Sequence, residues 1–483
     1  MITTSTNGQS LRGKAGQQIA LVGLGIYVAF APHSVAASVI GVGLAGLGWV
    51  IRTLQTRSFG LRWSKFDLII VLSLLWTVAS ALLSEEPRIS VAKLQASWCV
   101  FIFYLARATL SRRSALILVA LLIVSASAGA LYSAFDLLRG RGVVVESIAA
   151  GSPFNQIGIR PGDTIWQINR RRVYSTADID QILTQMPANT TVTAGLITQG
   201  EQVERSFTSS KPVASGVIGN ESNHRFRASG WTRHYETFAE LIQMIAQLAL
   251  GFALAHLRNH GPNKIFRIAI AAAALLTAGL VFTAMRTVII AFVIGASVMA
   301  LRSLRATLRV VFTFALFAVL AFAAVVVWQT RDRNALLLGD PSSSLRYEVA
   351  SNGLSRILIH PIFGHGMDAM QLHWNEWGFP GKDMLHLHST PLQLAFDRGL
   401  PMLALWLWMM ILFWLTIARA ERRAADLSDT NFYGILLGTL GALTGFLMSS
   451  IVNYNYGDAE VAMMFWFLMG TALSTDYADS SSA

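Results

Sequence analysis

The sequence predicts an all-α polytopic membrane protein with a small α+β domain inserted in one extramembrane loop. Three observations carry this. Of 483 residues, 53% are hydrophobic and only 13% charged, a balance outside that of ordinary soluble domains. Apolar runs that could cross a bilayer core, which takes about 20 helical residues, recur along most of the chain. Between the fifth and sixth runs the pattern changes to short strand-like stretches punctuated by glycine and proline, "RGVVVESIAAGSPFNQIGIRPGDTIWQINRRRVYSTADIDQILTQM".

Twelve spans are expected, at about 18–32, 34–51, 67–83, 89–106, 114–134, 236–256, 268–284, 287–301, 310–328, 400–418, 432–452 and 459–475. Arg12 and Lys14 before the first run and "AFA" after it have the form of a signal peptide. Pro32 and the immediate start of the second run favour an uncleaved membrane hairpin. Basic residues then set the orientation. Arg12/Lys14, Arg52/Arg57/Arg62/Lys65, Arg107/Arg112/Arg113, Arg258/Lys264/Arg267, Arg302/Arg305/Arg309 and Arg419/Arg422/Arg423 gather at one set of helix ends. Both termini are therefore expected in the cytoplasm, and the long loops at about 135–235 and 329–399 on the outer side. The division that follows is spans one to five in 1–134, the inserted domain in 139–210, spans six to nine in 220–328, a large outer loop in 329–399, and three spans with a cytoplasmic tail in 400–483.

The net charge of +11 follows from this loop pattern. No basic stripe with interleaved aromatics is present, so no nucleic-acid partner is expected. The single Cys99 lies inside the fourth span, and an intrachain disulfide is impossible.

In the inserted segment Val143–Val145 and Asp163–Ile168 read as strands, Gly158 to Gly162 as a turn, and Ser175–Met186 as a helix begun by Ser175 or Thr176. The run "GSPFNQIGIRPGDTIWQIN" resembles the PDZ domains of bacterial envelope proteases. In that family the loop before the first strand, here Arg141, Gly142, Val143 and Val144, holds a peptide's terminal carboxylate while the peptide adds to a sheet edge. A docking module for a peptide or protein partner and a purely structural insert are both compatible with the segment. The chain has no H-E-x-x-H zinc signature, and protease chemistry is not expected.

Ionisable residues at a membrane boundary are costly, and each needs a reason. Arg225, Arg227 and Arg233 precede the sixth span. They read as a belt against lipid headgroups or as an anion site, because guanidinium donors grip phosphate oxygens in a planar fork. Arg286 stands alone in "LLTAGLVFTAMRTVIIAFVIGASV". The stretch from 268 to 301 suits two short spans, which puts Arg286 at the outer tip of a tight helical hairpin on the same side as Arg227.

Five of the ten histidines, at 360, 365, 373, 386 and 388, lie in the second long loop. Their spacing matches no tight ligand pattern, so no metal site is expected. Thr390, Pro391 and Gln393 have the form of a capping box, which predicts a short helix over 391–398 ended by Gly399 and Pro401. His388 then lies two residues ahead of the helix, whose partial positive charge disfavours the imidazolium and keeps the ring able to accept a proton. His386 shares a face with His388 only if the chain there is extended, and it is taken as the supporting member of the pair.

Together these features resemble the O-antigen ligase and polymerase superfamily of bacterial envelope glycosyltransferases, GT-C-like proteins with many spans and a large outer loop. The ligase pattern of His, then Asn, Ser or Gln, then nine residues and Gly reads here His388, Ser389 and Gly399. It departs from the family at Met402, where Gly, Thr or Tyr is usual. "LRYEVASNGLSRILIHPIFGHGM" looks like the family's Arg-led helix ending in His-Pro-x-x-Gly-x-Gly, and Arg227 in "RASG" takes the place of the arginine before the sixth span.

The resemblance implies an inverting, metal-independent glycosyltransferase without cofactor in the bacterial inner membrane. It implies a polyprenyl (undecaprenyl) pyrophosphate-linked glycan as donor and a lipid A-core or growing glycan as acceptor, within a shell of membrane lipids. Its chemistry assigns Arg227 and Arg286 to the leaving pyrophosphate and His388 to the attacking hydroxyl. Arg346, Arg225, Arg233 and His386 are expected to bind substrate. A polymerase of O-antigen or exopolysaccharide and a protein O-oligosaccharyltransferase are the nearest alternatives. A lipid-linked glycan transporter is less in keeping with a chain that shows no internal repeat.

Overall fold

The computed structural model describes residues 13–61, 63–140, 142–169, 171–187, 189–198, 201–209, 215–221, 227–232, 234–330, 341–381, 386–425 and 429–474. It divides into two units, Met1–Ala130 with Ser229–Ala483, and Leu131–Ala228.

Helices form where the apolar runs lie. They are α1 (Lys14–Phe30), α2 (Val35–Thr56), α3 (Lys65–Leu83), α4 (Pro87–Lys93), α5 (Phe101–Thr109) and α6 (Arg112–Arg139). The inserted segment holds β1 (Val143–Ile148), β2 (Thr164–Ile168), β3 (Arg171–Arg172), α7 (Thr176–Thr184), β4 (Thr190–Thr198), β5 (Glu201–Ser209) and β6 (Val217–Glu221). Then follow α8 (Tyr235–His260), α9 (Lys264–Phe282), α10 (Arg286–Ser303), α11 (Ala306–Thr330), α12 (Pro341–Ile357), α13 (Ala369–His373), α14 (Thr390–Ala424), α15 (Thr430–Ser450) and α16 (Ala459–Ala472).

Among the described residues ten helices are long and apolar enough to cross a membrane, the span Pro87–Thr109 being α4 and α5 joined by a 3₁₀ stretch. Of the twelve expected spans, the first and last appear as helices of 17 and 14 residues, shorter than the about 20 a full crossing needs. Helix contacts rest on small residues, as they must where lipid gives no hydrophobic drive for association. A Cβ on Gly23 would lie 2.3 Å from Ala45 N, and one on Gly48 2.3 Å from Ala20 N, so α1 and α2 meet backbone to backbone. α8 is buried along its apolar length and packs on α15 at Gly251 and Gly438. Two ion pairs lie within the bundle: Arg107 Nη1 is 2.9 Å from Asp67 Oδ1, and Arg302 Nε 2.8 Å from Glu421 Oε2.

In the second unit the sheet runs in the order β5-β4-β2-β1-β6, with β3 paired to β2. Its core gathers Val143, Phe154, Ile165, Ile179, Val192 and Val217. Ser175 caps α7 in a capping box with Asp178, as the sequence suggests. The domain extends past the expected boundary at 210, because β6 completes the sheet by pairing with β1. This also corrects the expected peptide edge. Val143 and Val144 pair with Ile165 and Thr164 on one side and with Glu221 and Asn220 on the other, so β1 offers no free edge. Gly142, just before β1, is itself bonded to Val173 O. Arg141 lies outside the described residues. The strands at the margins are β5 and β6, with β6 alongside α7.

The expected short helix exists as the first part of α14. Ser389, not Thr390, caps it: its hydroxyl accepts from Leu392 N, while Thr390 is the first helical residue and bonds elsewhere. The helix breaks at Gly399 (φ 79°, ψ 169°), and the membrane-crossing part follows. Glycine is required there twice over. The left-handed backbone strains any other residue, and a Cβ would sit 1.8 Å from Ile362 O. Strain of that kind costs on the order of 1–3 kcal/mol before the clash is counted. Gly399→Ala is therefore expected to lower the thermal unfolding midpoint of the detergent-solubilised protein clearly; an unchanged midpoint would contradict this account of the break.

Candidate active site

At one end of the bundle the chain buries a carboxylate. Glu240, in the second turn of α8, is 3% exposed, a position tolerable only with hydrogen-bond donors around it. Ser449 Oγ, Asn453 Nδ2 (3.2 Å) and Asn455 Nδ2 (3.4 Å) supply them. The same amides reach further. Asn453 Nδ2 lies 3.1 Å from Thr287 Oγ1, and the Asn453 carbonyl accepts both the N–H and the hydroxyl of Thr390 at 3.1 Å. Asn455 Oδ1 accepts from Thr390 Oγ1 (3.0 Å) and Ser450 Oγ (2.9 Å). One network thus joins α8, the start of α10, the end of α15 and the start of α14.

His388 stands two residues ahead of that anchored Thr390. Its φ of 52° is left-handed, a conformation that costs a non-glycine residue energy and marks positions held by their surroundings. Its N–H lies 3.3 Å from His386 Nδ1, and the two rings are 4.3 Å apart. His386 Nδ1 therefore accepts, which places the ring proton of neutral His386 on Nε2. Among the described residues neither ring nitrogen of His388 has a hydrogen-bond partner. Burial, then His386 and the Arg346 guanidinium, push the His388 imidazole down to about 3. Burial also lowers His386. Desolvation, rather than the helix N-terminus named from the sequence, is the main cause of the lowering of His388.

Leu387 N, between the two histidines, donates to Gln393 Oε1 at 2.7 Å, and Gln393 Nε2 to the buried Asp397 at 2.8 Å. This relay ties the histidine segment to the helix it precedes. Both histidines line a cavity of about 420 Å³ with His234, Glu236, Thr237, Glu240, Asn453, Tyr454, Asn455 and Asp458. Asp458 caps α16 and accepts from Thr237.

Arg346, on α12, reaches the rim of this cavity: its Nη2 is 3.4 Å from Glu236 Oε1, and its Nε is buried with no hydrogen-bond partner among the described residues. Arg286 opens α10 after a tight turn through Ala284 (φ 52°), as the hairpin reading expects, and is half-buried. Its neighbour Thr287 is the residue bonded to Asn453. Arg227 is half-buried and belongs to the other unit. Arg225 and Arg233 lie outside the described residues.

Glu236, Glu240, Asn453, Asn455 and Asp458 were not singled out from sequence. The signal was present: Glu240 is an ionisable residue inside an apolar run, the criterion that marked Arg286. "NYNYGD" is a polar break between two spans.

The fold defines a polytopic membrane protein with polar and ionisable side chains gathered at one end of the bundle and a small α+β domain inserted in the chain. Residues 271–407 match the family model described as O-Antigen ligase, and residues 144–193 match that of the PDZ domain. The matches bear out the resemblance over these two segments, one of O-antigen ligase type and one of PDZ type. The first match includes Arg286, Arg346, His386, His388 and Gly399. Two curated relatives are similar over short stretches. The magnetosome formation protease MamE of Magnetospirillum gryphiswaldense is 30% identical over 84 residues, 17% of this chain and 11% of its own length. A probable periplasmic serine endoprotease, DegP-like, of Ectopseudomonas mendocina is 40% identical over 63 residues, 13% of each chain. The chain thus spans little more than a tenth of the length of these relatives.

An unfolded chain protonates a histidine near pH 6.5, whereas folded His388 resists protonation to about 3. Stability from this residue is thus undiminished above pH 6.5 and falls as the pH drops towards 3. In histidine-labelled protein the NMR signal lost in His388→Ala should remain that of neutral imidazole from about pH 8 to 5; titration with a midpoint between about 6 and 7 would exclude this environment.

Proposed function

We propose that the protein is an inner-membrane glycosyltransferase that moves a glycan from polyprenyl pyrophosphate to an acceptor hydroxyl, on lipid A-core, at the periplasmic face. Both termini then lie in the cytoplasm. The observation that carries the reading is a neutral His388 with open ring nitrogens, in a cavity walled by carboxylates and side-chain amides, within the O-antigen ligase match.

The two halves of the reaction ask for opposite groups. The leaving pyrophosphate gains negative charge and needs cationic donors more than a proton. Charge-assisted contacts are worth about 1.5–3 kcal/mol each, and more once water is excluded. Arg286, Arg227 and Arg346 take this role, and the unbonded Nε of Arg346 is a donor already stripped of water. Arg225 and Arg233 join them as substrate contacts. The attacking sugar hydroxyl needs an acceptor for its proton. His388 supplies it, and the arriving pyrophosphate raises its basicity by opposing its charge. Glu236, Glu240 and Asp458 accept hydrogen bonds from sugar hydroxyls; an acidic cavity suits a glycan better than a second anion. Attack opposite the departing oxygen inverts the anomeric centre.

Between α3 and α14 an apolar groove of about 550 Å³ runs along Leu72, Leu75, Trp76, Pro401, Leu405 and Trp408. We place the polyprenyl tail there. The inserted domain is the site offered to an extended peptide, held by its terminal carboxylate as in the PDZ domains that it matches. Binding of an apolar C-terminal peptide to the full-length protein should vanish when the peptide is amidated; indifference to amidation would sink this assignment.

His388→Ala is expected to reduce transfer from a purified lipid-linked donor by about a hundred- to ten-thousand-fold. Arg286→Ala and Arg227→Ala should abolish detectable transfer, all three while the protein still inserts and folds. Normal surface glycan in cells carrying His388→Ala would overturn the assignment. In a deletion strain, loss of the whole lipopolysaccharide ladder with accumulating carrier-linked polymer marks the ligase. A core bearing a single repeat would instead mark a polymerase.

A further inference from the structure

We propose that Glu85, His360 and His365 form a binding site for a divalent cation of the zinc class, structural in role and independent of the transfer chemistry proposed above. These three side chains come together from distant parts of the sequence. Glu85 follows α3, and the two histidines lie in the loop after α12. Glu85 Oε2 is 2.5 Å from His365 Nδ1 and 3.7 Å from His360 Nε2. One ligand atom from each residue lies within 4.8 Å of the others.

The inner ligand is prepared for a metal. His365 is 1% exposed, and its ring packs 4.7 Å from that of Phe396 and 4.8 Å from that of Trp377. Its Nε2 lies 3.0 Å from the Arg356 carbonyl. That carbonyl can only accept, so the Nε2 proton is fixed and Nδ1 is the nitrogen turned to Glu85. A backbone carbonyl holding the far N–H of a ligating imidazole is the usual outer shell of a zinc histidine. The outer two ligands can adjust, since the side chains of His360 and Glu85 are 44% and 38% exposed. A tetrahedral ion with bonds of about 2.0–2.2 Å needs ligand atoms about 3.3–3.5 Å apart. Glu85 and His365 must open and His360 must close, and both movements fall to the exposed pair.

Two nitrogens and one carboxylate leave a fourth position for water. The site is also well placed to tie the fold. Glu86 N donates to His365 O, His365 N to Phe396 O, Gly366 N to Asp397 O, and Leu400 N to Pro361 O. A metal here locks the 360–366 loop, and with it the break at Gly399, to the end of α3.

The test uses full-length, chelator-treated protein in nanodiscs. One zinc ion per chain is expected by elemental analysis after equilibration with excess zinc and removal of the unbound metal. Cobalt in its place should give the visible absorption of a tetrahedral N/O site, and zinc should raise the thermal midpoint. Glu85→Gln and His360→Ala should each weaken binding at least tenfold while leaving the metal-free midpoint near that of the parent. His373→Ala should leave the stoichiometry unchanged, because His373 is paired separately with Glu86 and Glu376. No retained zinc, retention unaltered by either ligand substitution, or loss on His373→Ala would each overturn the proposal.

Discussion

Everything at the reactive end of this bundle depends on keeping one carboxylate, that of Glu240, out of water. Moving a carboxylate into an apolar interior costs far more than any single contact returns, so the surrounding chain is committed to supplying donors. Ser449, Asn453 and Asn455 do so from the end of α15 and the turn beyond it. Each amide has further valences, and those fall on Thr287 and Thr390. The hydrogen bonds that accommodate this one buried carboxyl group therefore tie together the starts of α10 and α14. Arg286 and His388 stand at those two places.

The site that results separates unlike electrostatic tasks. Carboxylates and amides surround the cavity, whereas the arginines stand at helix starts and on the rim. His388 is held towards the neutral form because the protein desolvates it beside His386 and the Arg346 guanidinium. In the proposed reaction such a ring meets a hydroxyl without adding charge of its own and gains basicity beside an anion. Charge-assisted steps of this sort are strongest where water is excluded.

Much of this was legible in the sequence, because its rules are local. Apolar runs of sufficient length gave the helices, the short 268–301 stretch gave the hairpin with Arg286 at its tip, and Thr-Pro before Gly399 gave the helix ahead of the tenth span. Local rules miscount by one at the cap: Ser389 and Thr390 are both good capping residues, and Thr390 was drawn off by Asn453 and Asn455, which no window around it contains. The same limit explains the sheet. β6 is a short stretch of five residues whose partner, β1, lies far upstream, so the domain was ended early. Glu85 and His365 are 280 positions apart, and a search for closely spaced ligands does not join them.

The break at Gly399 has a mechanical consequence. The part of α14 beyond it, from Leu400 to Ala424, is longer than a bilayer core requires, and a helix in that position tilts as membrane thickness changes. Its neighbour Leu400 is bonded to Pro361, and the loop carrying Pro361 is pinned to both sides of the break. The loop that carries Pro361 thus bridges the break, so a tilt of the long helix works against the bonds at Asp397 and Leu400 and reaches the segment bearing His388 only through them.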